Sequence, residues 1–129
     1  ICLKENNLPI DYVNIDLDDS HDLGYGLKKE YWHQGIVSEA VEAVIQQAKK
    51  DNLCYLTATH DIKNIHSGNV MKKVGMHYCY SYKEQWMPKN RPVIFRMYQI
   101  NLDGKNGFIK NIGINMNILL KKTYKEQVI

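Results

Sequence analysis

The stretch that decides the fold of this chain is YWHQGIVSEA, residues 31–40. Its first half has the composition of a turn, and apolar residues at helical spacing follow Gly35. The first backbone N–H groups of a helix have no helical partners, and the helix dipole is positive at that end. The stretch therefore predicts a place where an anionic group can approach the main chain and where Ser38 could add a hydroxyl. One glycine before a helix is also typical of a simple turn.

The helix predicted from this stretch covers residues 35–50, and its acidic residues come early and its lysines last, as the dipole favours. A strand over residues 53–59 and a second helix over residues 65–74 follow, with Asn64 as N-cap and Gly75 at the C-terminal end. The apolar positions that repeat with helical period in the first helix are Val37, Ala40, Val41, Val44, Ile45 and Ala48.

Three strands are predicted before the first helix. Residues 1–4 and 10–17 form a hairpin around the Asn-Asn and Pro turn signals, and residues 21–28 form the third strand, in which two glycines invite a close backbone approach. The alternation that supports the second strand involves Val13, Ile15 and Leu17.

Two further strands, residues 77–85 and 93–102, are predicted after the second helix, with a turn around residues 88–90. The full order is β-β-β-α-β-α-β-β. Strand and helix alternate in the middle and hairpins flank them, which predicts a mixed, mostly antiparallel twisted sheet with helices packed on it. This is α/β in the loose sense, usually classed as α+β.

Composition limits the class of protein. At 129 residues, with 44% hydrophobic and 24% charged residues, the chain suits one soluble domain. No apolar run approaches the length of a bilayer span and no export signal opens the chain, so we expect a cytoplasmic protein with no membrane partner. A net charge of +3 is too small for nucleic-acid binding but favours an anionic ligand. Residue 1 is Ile, which indicates that N-terminal sequence is missing.

Cysteines and histidines do not indicate a metal site. The three cysteines are odd in number and never form C-x-x-C, so we expect reduced core residues rather than metal ligands or a nucleophile. The histidines lack any two-His spacing on one helix face. The residues concerned are Cys2, Cys54 and Cys79, and His33, His60, His66 and His77.

Residues 31–40 closely resemble the Y-W-G-K-G-Y-A-T-E-A pyrophosphate loop of the ribosomal-protein-acetylating branch of the GNAT superfamily of N-acetyltransferases. A second stretch is similar to the family signature N-x-x-S-x-x-V-x-x-K-x-G-F, and the resemblance covers residues 1–102, which would form a partial acetyltransferase domain. Residues 103–129 would be a C-terminal extension without a predicted role. The residues matching the second signature are Asn64, Ser67, Val70, Lys73, Gly75 and Met76.

Three departures from the family pattern stand out. Val37 replaces the second Gly or Ala of the loop, and Met71 stands where some relatives carry a tyrosine that acts as general acid. The strand and helices that precede the first hairpin in the family, and that help to wall the acceptor site, are missing.

The resemblance implies that acetyl-CoA, as co-substrate and without a metal, inserts between residues 21–28 and 53–59. Its pantetheine arm would pair with the first of these strands and its diphosphate would rest on the N–H groups of residues 33–38. A backbone N–H near Leu27 would bind the oxyanion and the Ser67 hydroxyl would protonate the thiolate, although Ser67 could instead cap the helix or face the core. The cofactor-binding residues implied are Tyr25, Leu27, His33, Gln34, Gly35, Ile36, Val37, Ser38, Asn64 and Ser67.

No residue stands out as general base. Glu30 and Glu84 are interpreted as surface charges and His60-Asp61 as a turn. The tyrosines at 78, 80 and 82 alternate on one strand and are interpreted as packing residues, with a role in an acceptor pocket open for one of them.

The function implied by the resemblance is transfer of an acetyl group to a primary amine, on a small molecule or a protein N-terminus, by a monomer or homodimer. The alternatives are a non-catalytic acyl-CoA-binding or regulatory domain and a truncated, inactive fragment.

Overall fold

The computed structural model describes residues 1–86 and 90–107. Within them the order of elements is β-β-α-β-α-β-β, and the predicted α+β class with antiparallel strands and two helices is confirmed. The elements are β1 (Val13–Ile15), β2 (Leu23–Tyr25), a 3-10 helix (Lys29–Tyr31), α1 (Ile36–Lys50), β3 (Tyr55–Asp61), α2 (Ile65–Lys73), β4 (His77–Trp86) and β5 (Arg91–Asn101).

The strands form two antiparallel sheets. β1 pairs with β2, and β5 lies between β3 and β4. A single parallel bridge, Asp22 to Thr57, links β2 to β3. The two sheets are therefore joined at one point and separate along the remainder of β2.

Both helices cover the same face of the sheets, where the main core lies. The amphipathic stripe of α1 meets side chains from β2, β3, β5 and α2, and burial of each such large apolar side chain contributes about 1.5–3 kcal/mol. Burial of the predicted apolar stripe stabilises α1 at this place in the chain. The helix begins one residue later than predicted and ends where predicted. The buried residues of this core are Leu23, Val41, Ile45, Ala48, Leu56, Ala58, Met71, Val74, Met76 and Tyr98.

The C-terminal end of α2 follows the predicted pattern. Gly75 has φ +92° and its N–H donates to Lys72 O over 3.1 Å, while Met76 N donates to Met71 O over 3.0 Å. A left-handed residue closing the last turn is the common helix stop that glycine favours. Met76 then enters the core with 3% exposure.

A β-bulge divides the tyrosines of β4 between the two faces. The register with β5 shifts between Tyr78 and Tyr80. Tyr78 contacts the ring of Tyr98 on the helical face and is 47% exposed, whereas Tyr80 and Tyr82 pack with Met97 on the opposite face. The expected packing role is confirmed for Tyr80 and Tyr82, but the regular alternation through Tyr78 is wrong because the bulge inserts one residue.

The N-terminal strands are shorter than predicted. The strand expected at residues 1–4 is reduced to one bridge between Cys2 and Pro9. Leu17, expected on the half-buried strand, is 89% exposed, because Asp16 N donates to Asp22 O at the end of the β1–β2 pair and the chain then turns. Similarly, the strand expected over residues 21–28 is a regular strand only over Leu23–Tyr25, which is β2.

The expected burial of the cysteines is wrong. Cys2 and Cys54 are exposed and Cys79 is half-buried, and all three are free. Neither a group of three potential metal ligands nor a helix long and apolar enough to span a bilayer occurs among the described residues. Of the turn predicted at residues 88–90, only Asn90 lies within the described residues. Of the predicted extension over residues 103–129, only residues 103–107 do.

Candidate functional site

The bridge between β2 and β3 marks the inner end of a gap in the sheet. Thr57 N donates to His21 O over 3.2 Å, and Thr57 Oγ1 donates to Ser20 O over 2.8 Å. Thr57 is fully buried, so water does not compete for these bonds. In the described part of the chain β2 makes no second bridge to β3, and the gap therefore opens between the two segments where the sequence predicts it.

The edge of β2 that faces the gap carries backbone groups available for hydrogen bonding. Gly26 and Lys28 donate their N–H groups away from the gap, to main-chain carbonyls within residues 10–12, over 3.1 and 3.3 Å. Backbone groups alternate along an extended chain, so those of Tyr25 and Leu27 are directed into the gap. No described residue accepts a hydrogen bond from Leu27 N–H.

A cavity of about 650 Å³ extends from this gap to the N-terminal ends of both helices. Gln34, expected to bind the cofactor, lies outside the lining, and its side-chain amide donates to Glu30 O over 3.4 Å. The other nine expected residues line the cavity: Tyr25, Leu27, His33, Gly35, Ile36, Val37, Ser38, Asn64 and Ser67.

The N-terminus of α1 presents unpaired N–H groups to the cavity. The first helical bond runs from Glu39 N to Gly35 O over 3.0 Å, so the N–H groups of residues 36–38 have no helical acceptor. Gly35 has φ +74° and His33 φ +63°, and no side chain caps the helix. A Cβ on Gly35 would meet no atom within 4 Å, so the backbone conformation rather than lack of space requires glycine there.

The loop before α1 is tied to both sides of the cavity. Trp32 Nε1 donates to Leu27 O over 2.8 Å across the 3-10 helix. The Trp32 ring lies 5.5 Å from that of His66, and the rings of His33 and His66 lie 4.7 Å apart, between centroids. These contacts connect the loop to the first turn of α2 at the outer end of the cavity.

Asn64 caps α2 as predicted and also orients Ser67. Asn64 Oδ1 accepts from Ser67 N over 3.3 Å, and Asn64 Nδ2 donates to Ser67 Oγ over 3.1 Å. Because Ser67 Oγ accepts this bond, its own proton remains available for donation into the cavity. Tyr25 donates its hydroxyl to Ser67 O over 2.8 Å, and burial raises the pKa of Tyr25, so this hydroxyl stays protonated at neutral pH.

The model of the family described as "Acetyltransferase (GNAT) domain" matches residues 1–77 of the chain. The chain belongs to the GNAT acetyltransferase family. No curated protein sequence matches it significantly.

Solved GNAT structures share the fold. A GNAT-family acetyltransferase from Bacillus anthracis is 24% identical with a TM-score of 0.69, and the match covers 79% of this chain and 64% of that one. Ribosomal-protein-S5-alanine acetyltransferase from Vibrio fischeri is 23% identical (TM-score 0.69, covering 82% and 61%). RimL, a ribosomal L7/L12 α-N-protein acetyltransferase solved with coenzyme A, is 15% identical (TM-score 0.69, covering 77% and 59%). This chain thus spans about three fifths of their length.

Met71, at the position of the tyrosine found in some GNAT relatives, is a core residue here. It is 1% exposed, belongs to the cluster between the helices and the sheets, and does not line the cavity. The hydroxyl-bearing residues Ser67 and Tyr25 do line the cavity.

A carboxyl group that no sequence motif marks lies at the inner end of the gap. Burial, with smaller contributions from the nearby carboxylates of Asp16 and Asp18, raises the pKa of Asp22 to about 7. Successive side chains of a strand point to opposite faces, so Asp22 lies on the face opposite to Leu23 and the helices. Asp22 can therefore take up or release a proton near neutral pH.

The same face carries an aromatic and acidic group around Tyr82. The Tyr82 ring stacks on Phe95 with centroids 5.6 Å apart, its hydroxyl bonds to the Thr59 side chain, and burial raises its pKa. Glu84, interpreted as a surface charge, is half-buried, and burial raises its pKa also. Glu30 is exposed, as predicted.

His60 and Asp61, interpreted as a turn, are the last two residues of β3, and the turn follows them at residues 62–63. Asp61 ends β3, its carboxylate accepts from Lys63 N over 2.9 Å, and its carbonyl accepts from Asn64 N over 2.8 Å. The turn brings Asn64 to the start of α2.

Proposed function

We propose that this chain transfers an acetyl group from acetyl-CoA to a primary amine, on a small molecule or a protein N-terminus. The observation that carries the proposal is one cavity that joins the open backbone edge of β2 to the N-termini of α1 and α2. An elongated ligand with an anionic middle and an amide-containing arm matches those two features together.

The residues present fit this ligand. The N–H groups of residues 36–38 can donate hydrogen bonds to the diphosphate, and the backbone of Tyr25 can pair with an amide of the pantetheine arm. Asn64 lines the same cavity at the start of α2. When bound, acetyl-CoA supplies a thioester carbonyl that is open to attack by an amine. RimL, solved with coenzyme A, supports this choice of ligand.

Two donors in the cavity suit acyl transfer. The unpaired N–H of Leu27 can donate to the carbonyl oxygen as negative charge develops there. The Ser67 hydroxyl, whose oxygen already accepts from Asn64, can donate its proton to the sulfur that departs. The Tyr25 hydroxyl donates to the main-chain carbonyl of Ser67 and so holds Ser67 in position.

Asp22 is the proton acceptor that we assign to the amine. An ammonium group must lose a proton before it can attack, and a base with a pKa near the working pH does this best. Burial places the pKa of Asp22 at about 7, whereas exposed carboxylates titrate far lower. Asp22 does not line the cavity itself, so the proton would pass along a chain of waters from the cavity to the inner end of the gap.

Acetyl-CoA titration combined with a thiol-release assay tests the proposal. The acceptor panel contains small mono- and diamines and peptides with free N-termini. We expect saturable binding and release of thiol with at least one acceptor, lowered at least tenfold in Ser67→Ala. Binding without turnover on any amine would indicate a non-catalytic acyl-CoA-binding domain, and absence of binding would contradict both functions.

A further inference from the structure

Two side chains from the segment before β1 line part of the cavity that lies beside the end of β2. Asp11 and Tyr12 belong to this lining. Both lie against Gly26, because a Cβ on Gly26 would be 2.9 Å from Tyr12 Cε1 and 3.0 Å from Asp11 Oδ2. Gly26 precedes Leu27, whose N–H we assign to the carbonyl oxygen of the thioester. Asp11 and Tyr12 therefore form the wall of the cavity next to the place of reaction.

This wall lies on the face of β2 opposite α2. Tyr25 directs its side chain toward α2, where its hydroxyl donates to Ser67 O over 2.8 Å. Gly26 continues the extended chain, since its N–H donates to Tyr12 O over 3.1 Å. Adjacent residues of an extended chain point to opposite faces. The side of Gly26 that Asp11 and Tyr12 cover therefore faces away from α2.

The two faces suit the two substrates of acyl transfer. The edge of β2 and the helix N-termini are the places assigned to acetyl-CoA, so the amine has to reach the thioester carbonyl from another side. Asp22, the assigned proton acceptor, lies on the same face as Gly26, because residues 22, 24 and 26 of an extended strand share one face. An amine that approaches on this face meets the side chains of Asp11 and Tyr12.

Asp11 gives this wall a negative charge. Among the described residues that line the cavity, Asp11 carries the only carboxyl group, and it is half-buried. In the described part of the chain, no residue forms an ion pair with this carboxylate or donates a hydrogen bond to it. Tyr12 adds an aromatic ring that is 55% exposed. A carboxylate beside an aromatic ring is complementary to an ammonium group.

We propose that Asp11 and Tyr12 bind a second ammonium group of the acceptor, so that the chain acetylates amines that carry another positive charge close to the reacting nitrogen. This inference rests on the proposed function. The reacting nitrogen must be neutral when it attacks, so an ion pair with Asp11 would hinder it, whereas a second ammonium group keeps its charge throughout the reaction. Pairing with Asp11 therefore adds binding free energy for a diamine and none for a monoamine of the same length.

Ratios of kcat/KM within matched pairs of acceptors, at saturating acetyl-CoA, test the assignment. One pair is a four-carbon diamine and the amino alcohol of the same chain length. The other pair is two peptides that differ only in Lys or Gln at the second residue. We expect a ratio of about ten or more in favour of the doubly charged acceptor in at least one pair, as a charge-assisted hydrogen bond provides. The pair that shows it identifies a small molecule or a protein N-terminus as the source of the second charge.

Substitutions in the wall should remove this preference. Asp11→Asn, which keeps the size of the side chain, should bring the ratio to about one. Tyr12→Leu should lower the ratio about threefold, and Tyr12→Phe should keep it, because the ring rather than the hydroxyl attracts the cation.

Asp51→Asn is the matched control. Asp51 is exposed and follows the C-terminal end of α1, about 22 Å along the helix from the cavity, so its loss should leave the ratio unchanged. A wild-type ratio near one in both pairs, or an unchanged ratio in Asp11→Asn, would overturn the inference while the proposed function stands. Turnover of none of these acceptors would overturn the proposed function as well.

Discussion

Asp22 lies opposite Thr57 in the parallel bridge that closes the inner end of the gap between β2 and β3. The bridge therefore places a partly buried carboxyl group where the two sheets meet, although the aspartates that precede it, at positions 16, 18 and 19, are exposed. Removal of this carboxyl from water raises its pKa to about 7. A group that titrates at the inner end of the gap should affect both catalysis and stability.

The pH dependence of turnover should report Asp22. With one fixed acceptor, we expect kcat/KM of the wild type to fall as pH drops below about 7, because protonated Asp22 cannot accept a proton. Asp22→Asn should lower kcat/KM about a hundredfold and lose this limb of the profile. Steady-state rates from pH 5.5 to 9 measure both effects.

Neighbouring carboxylates provide matched controls for that profile. Asp16→Asn removes one of the charges that raise the pKa of Asp22 and should move the limb to lower pH. Asp19→Asn removes an exposed carboxylate from the same turn and should leave the profile unchanged. A limb that persists in Asp22→Asn would assign the proton to another group.

The free energy of unfolding should also depend on pH through Asp22. Deprotonation of Asp22 favours turnover but lowers the stability of the fold. Because folding raises the pKa of Asp22, the folded state holds its proton more tightly than the unfolded state between about pH 4 and 7. The free energy of unfolding should therefore fall as pH rises through this window, and Asp22→Asn should recover about 2 kcal/mol relative to wild type between pH 5 and 8. Urea unfolding at the two pH values measures the difference. If the free energies of unfolding of wild type and Asp22→Asn changed equally with pH, Asp22 would not be desolvated on folding.

Gly68 in α2 is expected to resist substitution by alanine. A Cβ at Gly68 would lie 2.8 Å from Cε1 and Nε2 of His60. His60 is 6% exposed and held by contact of Nδ1 with Asp61 O at 2.7 Å, so its ring cannot withdraw. Alanine usually stabilises a helix by about 1 kcal/mol relative to glycine, but here Gly68→Ala should destabilise by about 1–3 kcal/mol.

A double-mutant cycle isolates that contact. In a His60→Ala background the ring is gone, and Gly68→Ala should become neutral or stabilising. Thermal or urea unfolding of the four proteins gives the coupling. An equal cost of Gly68→Ala in both backgrounds would place the conflict elsewhere in α2.

Those parts of the fold that depend on local pattern were predictable from sequence. The apolar stripe of α1, the Asn64 cap and the Gly75 stop act within a few residues of chain, and each lies where predicted. Leu17 differs because the length of a strand depends on its partner, and the pairing of β1 ends at Asp16.

The residues of the candidate site also differ in whether a local sequence pattern predicts them. The wall formed by the helix N-termini was predictable because two motifs mark these termini. Asp22 was not, since its pKa comes from burial at a bridge between segments 35 residues apart in sequence, from Asp22 to Thr57. The bulge at Cys79, which turns Tyr78 away from Tyr82, likewise has no signal in the sequence.

Asn64 combines two roles that one pair of substitutions separates. Asn64→Asp keeps an oxygen that accepts from Ser67 N but loses the donor to Ser67 Oγ. We expect it to retain wild-type stability while kcat falls, because the Ser67 hydroxyl would turn to donate to the new carboxylate. Asn64→Ala should lower both, with a loss of about 1 kcal/mol in the free energy of unfolding. Unchanged kcat in Asn64→Asp would show that the bond to Ser67 Oγ is not needed for turnover.

Gly35 and Gly104 share a backbone conformation but differ in position. Their φ angles are +74° and +75°, and a Cβ on either would meet no atom within 4 Å. Alanine at either position should therefore cost about 1–2 kcal/mol of stability from the left-handed conformation alone. Only Gly35 lines the cavity at the N-terminus of α1, where relief of the strained φ would turn the N–H groups of residues 36–38 away from the ligand. Gly35→Ala should weaken acetyl-CoA binding about tenfold while Gly104→Ala leaves it unchanged, as measured by titration calorimetry. Equal affinities in the two variants would mean that the diphosphate does not depend on the helix N-terminus.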